Sequence, residues 1–167
     1  MISDEQMDKY PSFHKFQGRQ ILGIDYGSKV IGLATFCPGR DPAPSPYDRI
    51  VVKSQNDSLR KLEEVIEREV IEDIVFGIPL YADQTLSPMA KEVQKFALEL
   101  KNSMIASIKV SPDIYFQDET LTSYKAEERM KASASYNFKV DQKKIDSLSA
   151  AIILEDFIKS TKELQKI

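Results

Sequence analysis

Three places in this chain put a carboxylate where an apolar side chain would be expected. The run Ile21-Leu22-Gly23-Ile24 reads as a buried strand, yet it ends in Asp25. A second strand-like run, Ile114 to Phe116, ends in Gln117-Asp118-Glu119. The third acid, Asp146, falls at about 100° per residue in the same helical sector as Ala150, Ile153 and Phe157, a stripe built to pack against a sheet. A carboxylate in such surroundings is costly unless a cation or hydrogen bonds compensate it. Each acid also has a plainer reading: Asp25 as a turn cap before Gly27, one of the Asp118-Glu119 pair as part of a loop, and Asp146 as the partner of Lys143 or a neighbour.

Acids at two strand ends and on one helix suit hard divalent cations such as Mg²⁺ or Mn²⁺, which take oxygen ligands. A single histidine, His14, and a single cysteine, Cys37, leave nothing from which to build a soft-ligand zinc site or a disulfide framework. Two such ions about 4 Å apart can activate water and stabilise the leaving oxygen of an in-line phosphoryl displacement. Because side chains alternate along a strand, only one of Asp118 and Glu119 is expected to enter the site. Asp118 shares its face with Ile114 and Phe116, Glu119 with Tyr115 and Gln117. Periodicity does not choose between them, and Asp118 is the slightly preferred ligand.

The elements that must position these acids follow from punctuation and period. Residues 1–18 read as a flexible extension. Ile21 to Asp25 and Val30 to Phe36 form a hairpin about the turn Tyr26-Gly27-Ser28-Lys29. Residues 37–47, with prolines at 38, 42, 44 and 46, read as a loop, because proline has no N–H to give a central strand. A third strand runs from Arg49 to Lys53. Leu59, Leu62, Val65, Ile66 and Val70 make a helical stripe with Asp57 or Ser58 as N-cap. Asp73 to Ile78 is a buried strand, Ser87-Pro88 starts a helix, and Ile114 to Asp118 is a fifth strand. A helix begins at Thr122 or Ser123, and the last one spans about Lys144 to Lys159. The order β-β-β-α-β-α-β-α-α predicts an α/β domain over 19–160, a mixed five-stranded sheet with helices on both faces. Residues 161–167 are left as a tail.

With 42% hydrophobic and 29% charged residues the composition is that of an ordinary globular chain, not of a disordered or fibrous one. No apolar run approaches the roughly 18 residues of a membrane span, and the polar N-terminus lacks the apolar core of a secretory signal, so the cytoplasm is the expected location. The net charge of −3 cannot attract a polyanion uniformly. Between Lys125 and Lys144, however, Lys125, Arg129, Lys131, Lys139, Lys143 and Lys144 outnumber Glu127, Glu128 and Asp141. Lys29, Lys143 and Lys144 are the expected phosphate contacts, against the plainer reading of a solvated surface.

Four segments in order, GIDYGSKVIGLA (Gly23 to Ala34), VFGIPL (Val75 to Leu80), QDETLTS (Gln117 to Ser123) and KKIDSLSAAIILEDF (Lys143 to Phe157), resemble the YqgF/RuvX family. That family comprises Holliday-junction-resolvase-like nucleases, also assigned to 5′-end maturation of pre-16S rRNA. The resemblance spans Gln20 to Ile158. It implies a ribonuclease-H-like fold, a two-metal nuclease using Mg²⁺ or Mn²⁺ on Asp25, Asp118 or Glu119, and Asp146, and a nucleic-acid partner, precursor rRNA or branched DNA, with association with the ribosomal subunit. Thr120 stands where the family commonly has arginine, and Tyr81-Ala82-Asp83-Gln84 where it commonly has Asn-Met-Asp-Gly. A competing resemblance of Asp25-Tyr26-Gly27-Ser28 to the phosphate hairpin of sugar kinases and actin fails on length, since that fold needs two such domains.

Overall fold

The computed structural model describes residues 7–160 and 165–167. All five expected strands form: β1 (Ile21–Asp25), β2 (Val30–Phe36), β3 (Ser45–Val51), β4 (Asp73–Ile78) and β5 (Asp113–Asp118), with a short β6 (Gln165–Lys166) added. Five helices accompany them: α1 (Pro11–Lys15), α2 (Gln55–Arg68), α3 (Pro88–Ser107), α4 (Thr122–Lys131) and α5 (Ile145–Lys159). The sheet order is β3-β2-β1-β4-β5-β6. The β1–β2–β3 meander is antiparallel, β4 and β5 run parallel to β1, and β6 is antiparallel to β5. The three strands that end in acids or in Pro79 therefore deliver their C-terminal ends to one edge of the sheet.

Strand alternation divides the core. Leu22, Ile24, Ile31, Leu33, Ile74, Phe76, Ile114 and Phe116 pack against Leu62 and Ile66 of α2 and Val93, Phe96 and Leu100 of α3. Ile21, Ala34, Phe36, Val75 and Tyr115 face the other way, against Ala150, Ile153, Leu154 and Phe157 of α5. Helix α4 lies outside α5, joined to it through Ala126, Met130, Leu148 and Ile152. Helix α5 is thus covered on both sides, and all its residues from Ser147 to Leu154 are buried.

Four expectations need correction. Residues 7–18 are not a floppy extension: Met7 and Phe16 are buried, Tyr10 and Phe13 pack alongside, and the Phe16 ring meets Tyr115 and Phe157. Their spacing of three repeats the pitch of a tight helix inside a polar segment, and burying Phe16 is worth roughly 1.5–3 kcal/mol. Residues 1–6 lie outside the described residues. Helix α2 starts earlier than read, at Gln55, because the Ser54 side chain accepts the Asp57 N–H. Strand β3 includes Pro46, which an edge strand tolerates on its unpaired side. Finally, Gln165–Lys166 of the expected tail pairs with Tyr115 and Phe116, so the sheet has six strands; 161–164 lie outside the described residues.

Candidate active site

Asp25 closes β1 on the α5 face, following Ile21 and Gly23 in alternation. On β5 the same face carries Tyr115 and Gln117. Glu119 continues it, because its N–H donates to the Ile78 carbonyl at 3.0 Å and extends the parallel ladder one residue past the strand. Asp118 stands on the opposite face, where its Oδ1 accepts the Thr120 N–H at 3.0 Å and the Thr120 hydroxyl at 2.6 Å. Asp118, the slightly preferred ligand of the two, thus faces away from Asp25. It caps the turn into α4, and Glu119 points into the cleft.

Two glycines make room for the acids. Gly32 of β2 is the register partner of Asp25, and a Cβ there would lie 2.0 Å from the backbone oxygen of Asp146. Only the missing side chain lets the first turn of α5 sit on β2, with Asp146 beside Asp25. Gly77 of β4 does the same for Glu119, since a Cβ would come 2.8 Å from its Oε2 and 2.4 Å from Cδ1 of Ile153.

The Asp25 and Glu119 carboxyls come close enough to interact directly, an approach that two ionised carboxylates resist. Burial pushes the Glu119 carboxyl up to about 9, reinforced by the Asp25 charge and hydrogen bond and by Asp118. Burial also raises Asp25, to about 6, with the Glu119 bond pulling it down and Asp146 pushing it up. The pair therefore holds a proton between its two carboxyls. Asp146 is raised by burial and lowered by the Arg49 guanidinium. The Asp146 charge reaches Asp25, yet among the described residues no three acids, histidines or cysteines close tightly enough to form a ready-made metal cage. A divalent cation nevertheless fits the donor set. It would replace the shared proton of a buried carboxylate pair, with Asp146 alongside, and all three offer only oxygen.

The basic segment behaves differently from the acids. Lys125 pairs with Asp156, Arg129 with the buried Glu155, and Lys131 with Glu128. These cations tie α4 to α5 or to itself and are not available to a ligand. Lys29, Lys143 and Lys144 are exposed, Lys144 within 4.0 Å of Asp141. Sequence reasoning missed Arg49, which the β3 register places opposite Gly32 and on the α5 face. An irregularity between Gly32 and Ala34 sets that register, and no periodicity in the sequence announces it.

Comparison with known proteins supplies the fold and the family. The fold is ribonuclease-H-like: T. thermophilus RuvC in complex with Holliday junction substrate superposes with a TM-score of 0.55 at 14% identity, covering 89% of this chain and 99% of that one. Two curated relatives carry the name "Putative pre-16S rRNA nuclease". The one from Maridesulfovibrio salexigens is 34% identical over 140 residues, 83% of this chain and 97% of the relative. The one from Crocosphaera subtropica is 31% identical over 137 residues, 82% and 90% of the two chains. The family model described as "RuvX: Holliday junction resolvase" matches residues 19–160, from β1 through α5 and so including Asp25, Glu119 and Asp146, and this chain belongs to that family.

Proposed function

We propose that this protein is a divalent-metal-dependent phosphodiester hydrolase that acts in 5′-end maturation of pre-16S rRNA. The observation that carries the reading is the close approach of the half-buried Asp25 and Glu119 carboxyls, with the first turn of α5, and so Asp146, seated beside them on Gly32. Asp25, Glu119 and Asp146 hold Mg²⁺ or Mn²⁺, and Asp118 serves the turn. One or two such ions supply polarisation of the phosphate and activation of water. The chain's own contribution is to keep three carboxylates on one face, where Asp25, Glu119 and Asp146 would hold the cation in place of the proton of the Asp25–Glu119 pair. It also presents cations around an otherwise anionic cleft, from Lys29 on the first hairpin turn and Lys143 and Lys144 before α5. Among the described residues no helix is long and apolar enough to cross a membrane. The proposed location is the cytoplasm, in association with the ribosomal subunit.

The pre-16S rRNA substrate rests on the names of the relatives. A second reading, cleavage of four-way DNA junctions, is favoured by the family description and by the fold shared with RuvC. The deciding experiment offers the purified protein precursor rRNA fragments and four-way junctions side by side, with Mg²⁺ or Mn²⁺ and with Asp25→Asn as control. Metal-dependent trimming of the rRNA by the unaltered protein alone supports the first reading. Cleavage of junctions alone supports the second. Turnover of neither leaves a binding or assembly factor with a nuclease fold.

A further inference from the structure

The arginines of this chain are held by partners, with one exception. Arg19 grips the buried Asp73 through two bonds, Arg40 bonds to Asp41, Arg60 to Asp57 and Glu64, Arg68 to the Tyr47 hydroxyl, and Arg129 to Glu155. Arg49 has no such partner among the described residues, and what its guanidinium feels is the charge of Asp146.

Its position follows from the backbone. Arg49 pairs with Gly32, and Gly32 pairs with Asp25, so the three lie in one row across β3, β2 and β1. Adjacent strands are about 4.8 Å apart, which puts the Arg49 and Asp25 backbones about 10 Å apart. Ile50, its neighbour, packs into the α2–α3 core, so Arg49 projects from the α5 face, where Asp146 rests on Gly32. Between Ala34 and Gly32, β2 has one intervening residue, whereas β3 has Tyr47 and Asp48 between Pro46 and Arg49. Such a bulge re-aims the side chains that follow it, a common device beside active sites.

We propose that Arg49 is a substrate-binding residue that grips a backbone phosphate of the nucleic acid next to the carboxylates, on the β3 side of the cleft. The assignment rests on the nuclease reading above and extends it to a residue outside the acid set. A partly exposed guanidinium with its donors unpaired among the described residues, beside three acids that repel the same phosphate, is suited to bidentate phosphate recognition. Strand β3 is the sheet edge, so a nucleic-acid strand entering from this side meets no further strand.

The test uses a labelled single-stranded RNA spanning the 5′ end of 16S rRNA and its precursor extension, with binding measured by anisotropy in EDTA over a series of salt concentrations. Arg49→Ala should weaken binding about tenfold or more, as for one charge-assisted bidentate contact. It should also lower the slope of log affinity against log salt by about 0.7, the value for one single-strand phosphate. Arg49→Lys should restore the slope but not the full affinity. Neutral methylphosphonate linkages placed one at a time should include a position that weakens the unaltered protein and leaves Arg49→Ala indifferent. A residue that merely steadied Asp146 would show no such position. Melting temperatures of all variants should match within a few degrees, because among the described residues Arg49 makes no hydrogen bond or ion pair and only its longer-range attraction to Asp146 is lost. An unchanged salt slope, or the absence of any coupled linkage, overturns the proposal while leaving the nuclease reading intact. Failure of the unaltered protein to bind this RNA or a four-way junction overturns both.

Discussion

Gly32→Ala tests whether the site depends on a backbone-to-backbone contact. The added Cβ would lie 2.0 Å from the Asp146 carbonyl oxygen and 2.2 Å from its carbonyl carbon, against a floor of 3.0 Å for real Cβ contacts. Neither neighbour is a flexible side-chain end, so the first turn of α5 must lift by about 1 Å or β2 must bend away. Bending β2 disturbs the rung between Gly32 and Asp25, and lifting α5 moves Asp146. Overpacking of this kind costs about 1–3 kcal/mol. For a chain of this size each kcal/mol lowers the melting temperature by about 2–4 °C, so a fall of roughly 2–12 °C is expected by scanning calorimetry. Catalytic geometry is less forgiving, because a displacement of about 1 Å can cost about 100-fold in turnover. Cleavage of the substrate identified in the side-by-side assay should therefore drop far more than the folded fraction at the assay temperature. A variant with unchanged melting temperature and unchanged turnover would falsify the claim that Gly32 seats α5 and sets Asp146 against Asp25.

Glu119→Gln should abolish turnover, whereas Asp118→Asn should retain most of it and lose a little stability at the turn into α4; single-turnover assays of both decide the assignment. Burial raises both carboxyls of the Asp25–Glu119 pair, so the native metal-free protein holds protons that the unfolded chain releases above pH about 4–4.5. Its stability should fall as pH rises from there toward the Glu119 value of about 9. In Glu119→Gln that fall should shrink, and in the unaltered protein added Mg²⁺ should offset it. Thermal melts across pH that show parallel curves for the two proteins would contradict the shared-proton picture. Replacing Lys143 and Lys144 together with alanine should lower the salt slope of nucleic-acid binding by roughly 1 to 2 units and leave the melting temperature unmoved, as both are exposed. An unchanged slope would make them solvated surface.

Much of the molecule was legible before any coordinates. Alternation and helical period are local properties, so the five strands, the long helices and the buried stripe of Ala150, Ile153 and Phe157 follow from the order of residues. The same patterns expose Asp25 and Asp146 as carboxylates on apolar faces. Local pattern is silent wherever two segments distant in the chain must meet. Met7 and Phe16 sit in a polar segment and become core only because Tyr115 and Phe157 offer them a surface. Asp118 and Glu119 are equivalent in the strand taken alone. They part company because the face shared by Tyr115 and Gln117 is the one that α5 covers, and because the ladder to β4 runs on through Glu119. Arg49 enters the site through a register irregularity between two strands, and register is a relation between chains of atoms that only packing selects. The period of the sequence determined the apolar faces of the strands and long helices, and which acids were out of place on them. The tertiary structure decided which of those acids meet, because proximity depends on strand register and on two glycines whose missing side chains let α5 and the Glu119 carboxylate come close.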